Sequence, residues 1–406
     1  MADSRPPSSS VEGSDLLSSL GYNQELKRTL STLRNIALVL SDITPTASLL
    51  VIGTVVIAAA GTGSVWAYII GCFLAINVAL CMGELGSMFP VAGGLFSIVT
   101  RVLGKPIGFL AMLDYMGQAV FLPASVAVGI GVYIAALNGS IPSNVAAAVI
   151  MIIVTGVALF AINFAEETEG EAKHVGRAVV VAAAIGIAFE LGTFLLVFFG
   201  VPDLKSFLGS ATPLLDAARS SFGETFFNIV AIGAIVAIFN ACLAITLQFA
   251  RIVWAAGRDR AWPEVISAWI GKVDGRRGAP WVATLIVGVL ATILSFQGTL
   301  VAVVTFTAVL LIVLYALICI SALVSRYTQK DLPRPWRMPL WPVPPVIGLV
   351  GFVIALTQQK IGDLVTVAVI FIAGLIYYYA FIRPRGDRYW NVQVDPNAEL
   401  QKLHRT

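Results

Sequence analysis

Four carboxylates stand where carboxylates are costly. Asp42, Glu84, Asp114 and Glu190 each lie inside or at the edge of a long apolar stretch. A charged group in lipid is unfavourable unless it faces a cavity, a partner or water. Each is therefore a candidate for binding or for carrying a proton, and none has an obvious basic partner within its own helix. Asp42 has the richest setting, Ser41-Asp42-Ile43-Thr44-Pro45-Thr46-Ala47-Ser48. Pro45 removes a backbone donor and crowds the preceding turn. The small hydroxylated residues favour local side-chain bonds over a continuous helix. A break here would expose amides for an anionic group and carbonyls for a cation. The plainer alternative is a proline kink with back-bonded hydroxyls.

The other three acids read less sharply. Glu84 precedes Gly86, Pro90, Gly93 and Gly94, and an interfacial carboxylate is its plain reading. Asp114, beside Tyr115 and Gln118, could line a cavity or pair across helices. Glu190, in Ala188-Phe189-Glu190-Leu191-Gly192, could titrate or hydrogen-bond a neighbouring helix while protonated. Asn240, Thr246 and Gln248 are further cavity candidates. Gly129-Ile130-Gly131 reads as close helix packing. Catalytic material is lacking: the only histidines are His174 and His404, and Cys72, Cys81, Cys242 and Cys319 lack metal-like spacing. No nucleophile–base pair or phosphate loop appears either. We expect no catalytic residue, no metal and no cofactor; the protein is not expected to be an enzyme.

The elements that must position these groups follow from composition. Of 406 residues, 58% are hydrophobic and 12% are charged, against about 25% charged in soluble domains. So few polar groups could not cover a soluble protein of this size. A polytopic helical membrane protein is the default, and a net charge of +3 is too small to suggest nucleic acid. Residues 43–83, 115–165 and 278–325 contain no Asp, Glu, Lys or Arg. Turn and charge signals divide the chain into ten spans: 33–61, 64–88, 106–137, 143–164, 177–200, 225–250, 280–296, 299–324, 342–358 and 363–382. Residues 1–32 read as a disordered cytoplasmic tail, 33–385 as the transmembrane domain, and 386–406 as a cytoplasmic tail. With the N-terminus inside, every Lys and Arg except Lys205, Arg219 and Lys360 falls on the cytoplasmic side. That asymmetry supports an even span count, both termini inside and insertion in the cytoplasmic membrane.

Several segments resemble amino-acid permeases of the amino acid–polyamine–organocation superfamily. Leu33-Arg34-Asn35 resembles the entry to the family's broken first helix. Glu84-Leu85-Gly86-Ser87-Met88-Phe89-Pro90-Val91-Ala92-Gly93-Gly94 is similar to its "AEL…P-x-A/S-G-G" segment. Glu166-Glu167-Thr168 with Val175-Gly176-Arg177-Ala178 resembles its "EET…VPRA" loop. Arg251, Gly257-Arg258-Asp259-Arg260-Ala261-Trp262-Pro263 and Ala279-Pro280 resemble "SR…ARDG…P…TP". Arg334-Pro335-Trp336-Arg337-Met338-Pro339 is similar to "RPFRVP". The motifs keep the family order across about residues 33–382.

The resemblance implies an all-α, LeuT-like inverted-repeat fold and secondary active transport of amino acids or related amines by alternating access. It implies a substrate site at the unwound first helix. Here that site maps to Ser41, Asp42, Thr44, Thr46, Ala47 and Ser48, with Thr46-Ala47-Ser48 replacing a glycine-rich triplet. Asp114, Gln118, Glu190 and Asn240 are the candidate cavity or proton-coupling groups. The partners implied are a small amino acid or amine, H+ or Na+ as coupling ion, and the lipid bilayer. In the family the "EET" loop follows the sixth span, whereas here Asn163 runs at once into Phe164-Ala165-Glu166. About ten of the usual twelve helices remain, and the fifth and sixth are the ones missing. An alternative alignment removes the fourth and fifth. Losing the sixth would remove half the substrate cradle, which raises a second possibility: a transport-inactive shortened permease with a structural or regulatory role.

Overall fold

The computed structural model describes residues 28–30, 45–89, 94–160, 167–168, 172–274 and 279–392. The first helix, α1, is built from an α-helical turn Pro45–Ala47, a π-helical turn Ser48–Ile52 and an α-helix Gly53–Ala60. The 3-10 turn Gly61–Gly63 leads into α2, Ser64–Met88. An amphipathic helix, α3 (Gly94–Leu103), precedes α4 (Lys105–Leu137) and α5 (Ser143–Phe160). The long α6 (Ala172–Gly200) is followed by two short helices, α7 (Leu204–Gly209) and α8 (Pro213–Phe222). Next come α9 (Glu224–Arg258), the short α10 (Glu264–Ile270), α11 (Trp281–Gln297) and α12 (Leu300–Thr328). The last two are α13 (Val343–Thr357) and α14 (Ile361–Tyr377), the latter continued by a π turn, Tyr378–Ile382.

Among the described residues, an apolar helix occupies each of the ten predicted spans. Seven helical stretches are long and apolar enough to cross a membrane, and the first of them, Ser48–Met88, holds two spans. The shorter α11 and α13 complete the set. The 33 residues of α4 measure about 50 Å at ~1.5 Å per residue. That exceeds the roughly 30 Å hydrocarbon layer, so the helix tilts or projects beyond it. The charge pattern predicts that the span on α9 stops near residue 250, yet the helix runs on to Arg258. Arg251 and Arg258 mark where it leaves lipid rather than where it ends. Pro342, Pro344 and Pro345 crowd the start of α13 without harm, because first-turn amides need no intrahelical partner. Beside the helices, Arg28–Leu30, inside the predicted N-terminal tail, pairs in parallel with Glu167–Thr168.

Packing sorts the helices into two groups. α4 is the hub of the larger group and packs against α5, α9, α11 and α12, with α5 also against α11. Glycines allow the closest approaches. A Cβ on Gly131 would sit 2.1 Å from the Ser143 carbonyl of α5, and one on Gly129 would sit 2.4 Å from Val51 of α1. The predicted Gly129-Ile130-Gly131 packing face is thus occupied by two different helices. The smaller group is α6 laid along α2, and α1 lies between the groups, touching α2 and α6 on one side and α4, α9 and α12 on the other. There Gly83 and Gly176 meet backbone to backbone: a Cβ on Gly176 would sit 2.6 Å from the Gly83 carbonyl. Trp336 packs over the same contact. No described helix intervenes between α5 and α6, whose ends at residues 160 and 172 are joined by a short segment.

The cytoplasmic-tail prediction starts at residue 386, yet the first residues beyond it are docked. Trp390 is fully buried, its ring set against Phe96 and Phe109, and its Nε1 donates to the Lys105 carbonyl at 3.1 Å. Trp390 and Asn391 amides donate to the Arg260 and Asp259 carbonyls. Arg388 pairs with Glu264 at 2.8 Å on the exposed surface, and that pairing holds the Glu264 carboxyl below the usual glutamate range.

Candidate substrate-binding site

The predicted break, Asp42 to Ser48, lies partly outside the described residues; within them Pro45–Ala47 is helical and a π-helical turn follows at Ser48–Ile52. The cap of that turn is the Gly53 amide, which donates to the Ser48 carbonyl five residues back. Such turns disturb the regular backbone ladder and often mark functional positions. Here the Leu50 carbonyl takes two side-chain hydrogen bonds, from Thr54 Oγ1 at 2.8 Å and from the Tyr133 hydroxyl of α4 at 3.0 Å. Thr54 and Tyr133 escape sequence reading, because nothing in one helix shows which carbonyl another will contact.

Ser48 joins two of the sequence-predicted groups. Its Oγ donates to Glu190 Oε1 on α6 at 2.8 Å. A hydroxyl bonded to a carboxylate at that distance is a charge-assisted contact when the acid is ionised. Residues 142 apart in sequence thus meet across the first and fifth spans. Ala47 is buried at the same turn. Thr46 lies in the helix, but only its backbone is described. Ser41, Asp42 and Thr44 lie outside the described residues.

Two cavities lie near this pair, and of its two residues Glu190 lines the smaller one. A smaller one, about 240 Å³, lies between α1, α2 and α6 and is lined by Ile52, Tyr68, Cys72 and Glu190 among others. The Tyr68 ring is stacked on Phe194, with centroids 4.1 Å apart, which stiffens that wall. A larger one, about 550 Å³, lies between α1, α6, α8 and α9; its walls are apolar apart from Thr193 and Ser221. Leu49 and Leu50 separate the backbone of the π turn from this second space.

The remaining candidates sit apart from the pair. Asp114 is buried in α4, and its Oδ2 accepts from Gln118 Nε2 at 2.8 Å, one turn further on. Its Oδ1 has no hydrogen-bond partner among the described residues. Asn240 is exposed on α9 and lines neither cavity, and Gln248 is exposed on the same helix. Thr246 is buried but bonds back to the Cys242 carbonyl at 2.7 Å.

Glu84 departs furthest from its interfacial reading. The residue is fully buried. Its carboxylate accepts from Arg326 Nη2 at 2.7 Å, from Arg334 Nη1 at 2.7 Å and from the Met338 amide at 2.8 Å. Ser87 Oγ donates to the Glu84 carbonyl at 2.8 Å and accepts from the Trp336 amide at 3.3 Å. Burial pushes the Arg334 guanidinium below its ordinary pKa, and the facing carboxylate opposes that shift. Three motifs that are far apart in sequence therefore form one junction: the α2 end, the α6 start and the loop after α12. Its basic partners lie on another element, where a search of the acid's own helix could not find them.

A polytopic helical membrane protein with a polar junction in its first helix is thus the class that the fold defines. Residues 160–382 match the profile of an amino acid permease family, and residues 36–170 match a second profile of the same description. The chain belongs to the amino acid permease family. It is 24% identical over 219 residues to the branched-chain amino acid permease BcaP of Bacillus subtilis, covering 54% of this chain and 46% of that protein. It spans less than half the length of that relative. To BcaP of Lactococcus lactis it is 21% identical over 457 positions, covering 89% of this chain and 95% of the relative. To the human b(0,+)-type amino acid transporter 1 it is 23% identical over 393 positions, covering 76% and 78%. The Lactococcus alignment is longer than the whole 406-residue chain, so stretches of that relative have no counterpart here. The two profile matches meet at residues 160–170, between α5 and α6.

Proposed function

We propose that this protein moves amino acids or related amines across the cytoplasmic membrane by alternating access, with both termini in the cytoplasm. The observation that carries this reading is the Ser48–Glu190 bond at the π turn of α1. It sets Glu190, which lines the smaller cavity, against the first helix beside the segment where the family motif predicts a break. The amides near Thr46–Ser48 would receive a carboxylate, and Asp42 would attract the ammonium or carry a coupling proton. The Ser48–Glu190 pair serves the substrate ammonium or a coupling ion. Asp114 is the candidate for a coupling proton, because one of its oxygens has no partner among the described residues in a buried setting.

The experiment is uptake of a panel of radiolabelled amino acids and amines into proteoliposomes, driven by an imposed proton or Na+ gradient. Concentrative uptake of at least one substrate is the expected result. No uptake across the panel by folded protein would overturn it and favour a shortened permease with a structural or regulatory role. The direct α5–α6 connection is the observation on that side.

A further inference from the structure

We infer that the cavity between α1, α2 and α6 takes the ammonium end of a compact apolar amine, and that binding there does not require the ligand to carry a carboxylate. The inference rests on the transport reading only in calling this ligand a substrate; the site itself stands on its lining.

Nine residues line the cavity, and Glu190 is the only charged one. Its carboxylate faces the space and accepts from a neutral hydroxyl, Ser48 Oγ, at 2.8 Å. A carboxylate in apolar surroundings is unfavourable until a counter-charge joins it. No residue of the lining supplies one, so the complement is either a proton or a cationic occupant. An ammonium satisfies this chemistry: it donates three hydrogen bonds and brings the missing positive charge. The same lining offers no cation for a ligand carboxylate. An amine therefore matches the site, an acid opposes it, and a zwitterion gains from its ammonium alone.

Shape and access narrow the class further. At about 30 Å³ per liquid water, the 240 Å³ space equals roughly eight waters, enough for one small apolar body with its ammonium. Ile52, Val56 and Ile187 offer apolar contact. Ala67, Gly71 and Ala75 recur every fourth residue along α2, and their small side chains leave the cavity open at that edge. A bulky or doubly charged amine is excluded, because the walls hold no second acid.

Three compounds with the same branched body isolate the charges: leucine, 3-methylbutylamine, which lacks the carboxylate, and 4-methylpentanoate, which lacks the amine. Binding is read as the concentration-dependent rise in melting temperature of the purified full chain in detergent. The expected order places 3-methylbutylamine within about threefold of leucine in apparent Kd. The acid should be at least about tenfold weaker than the amine, a factor that a single lost charge pair readily produces. Glu190→Gln should weaken the amine about tenfold. Gly71→Leu, which fills the cavity where nothing now meets a Cβ, should weaken it while leaving Glu190 in place. Equal binding of the acid, full amine binding by folded Glu190→Gln, or no response of the wild type to the amine would each overturn the inference. Uptake into proteoliposomes separates the two proposals. Amine binding without uptake removes transport and leaves the site standing, whereas uptake indifferent to the ammonium removes the site and leaves transport standing.

Discussion

Replacing Glu84 by Gln tests whether the buried junction of α2 with the loop after α12 holds the two helix groups together. The change keeps the side chain's shape and removes one charge. Its carboxylate now receives three donors, two of them guanidinium groups at 2.7 Å. A glutamine offers one acceptor oxygen and turns an NH2 toward at least one of those donors. The Glu84 and Arg334 side chains are 1% and 5% exposed, so neither recovers full hydration when the pair is broken. Arg326, at 21%, recovers part of it. Removing one partner of a buried ion pair costs ~3–5 kcal/mol. With one of the two arginines partly solvated, the lower end applies, about 3 kcal/mol. At about 2 °C per kcal/mol for a large domain, the melting temperature should fall by roughly 6 °C. The assay is thermal unfolding of the purified protein in detergent, followed by size-exclusion recovery. Arg326→Gln, at the more exposed partner, should cost about 1 kcal/mol by the same reasoning. A melting temperature for Glu84→Gln within about 1 °C of wild type would refute the reasoning. So would a loss at Arg326→Gln equal to that at Glu84→Gln.

Other outcomes follow from the same packing. Gly176→Ala puts a Cβ 2.6 Å from the Gly83 carbonyl and 3.0 Å from Trp336 Cβ, which forces α2 and α6 apart; a loss of ~1–3 kcal/mol in thermal unfolding is expected. Trp390→Ala removes a fully buried ring and its bond to Lys105, with an expected loss of ~3–5 kcal/mol and faster proteolytic cleavage after residue 388. Leu340→Ala is the control, since that side chain is 78% exposed, and its melting temperature should stay at the wild-type value.

Much of this protein is legible along the chain because lipid is a demanding solvent. Charge-free runs cannot be loops at membrane depth, so the ten spans follow from where charges stop and start. Helix ends are less legible: α9 continues past Arg251 because leaving lipid does not oblige a helix to end. The Ser48 and Glu190 candidates were recognisable as polar groups in apolar surroundings. Their hydrogen bond was not, since it depends on how α1 and α6 are laid against α2. Glu84 shows the same limit from the other side. Its motif was readable, but its burial and its two arginines, Arg326 on α12 and Arg334 in the loop after it, depend on elements some 250 residues away. Trp390 sits in a segment whose polar composition reads as a free tail, and only the aromatic site formed by α3 and α4 reveals that it docks.

The sequence by itself determined the solvent, the spans, the family and the small set of polar groups that lipid does not tolerate without a role. These follow from local chemistry, which needs no partner to be recognised. Tertiary structure decided which of those groups meet. It joined Ser48 to Glu190 beside a cavity, closed Glu84 between two arginines, and left Asp114 with its neighbour Gln118. A hydrogen bond and a counter-charge are properties of pairs, and pairs between helices exist only once the helices are packed.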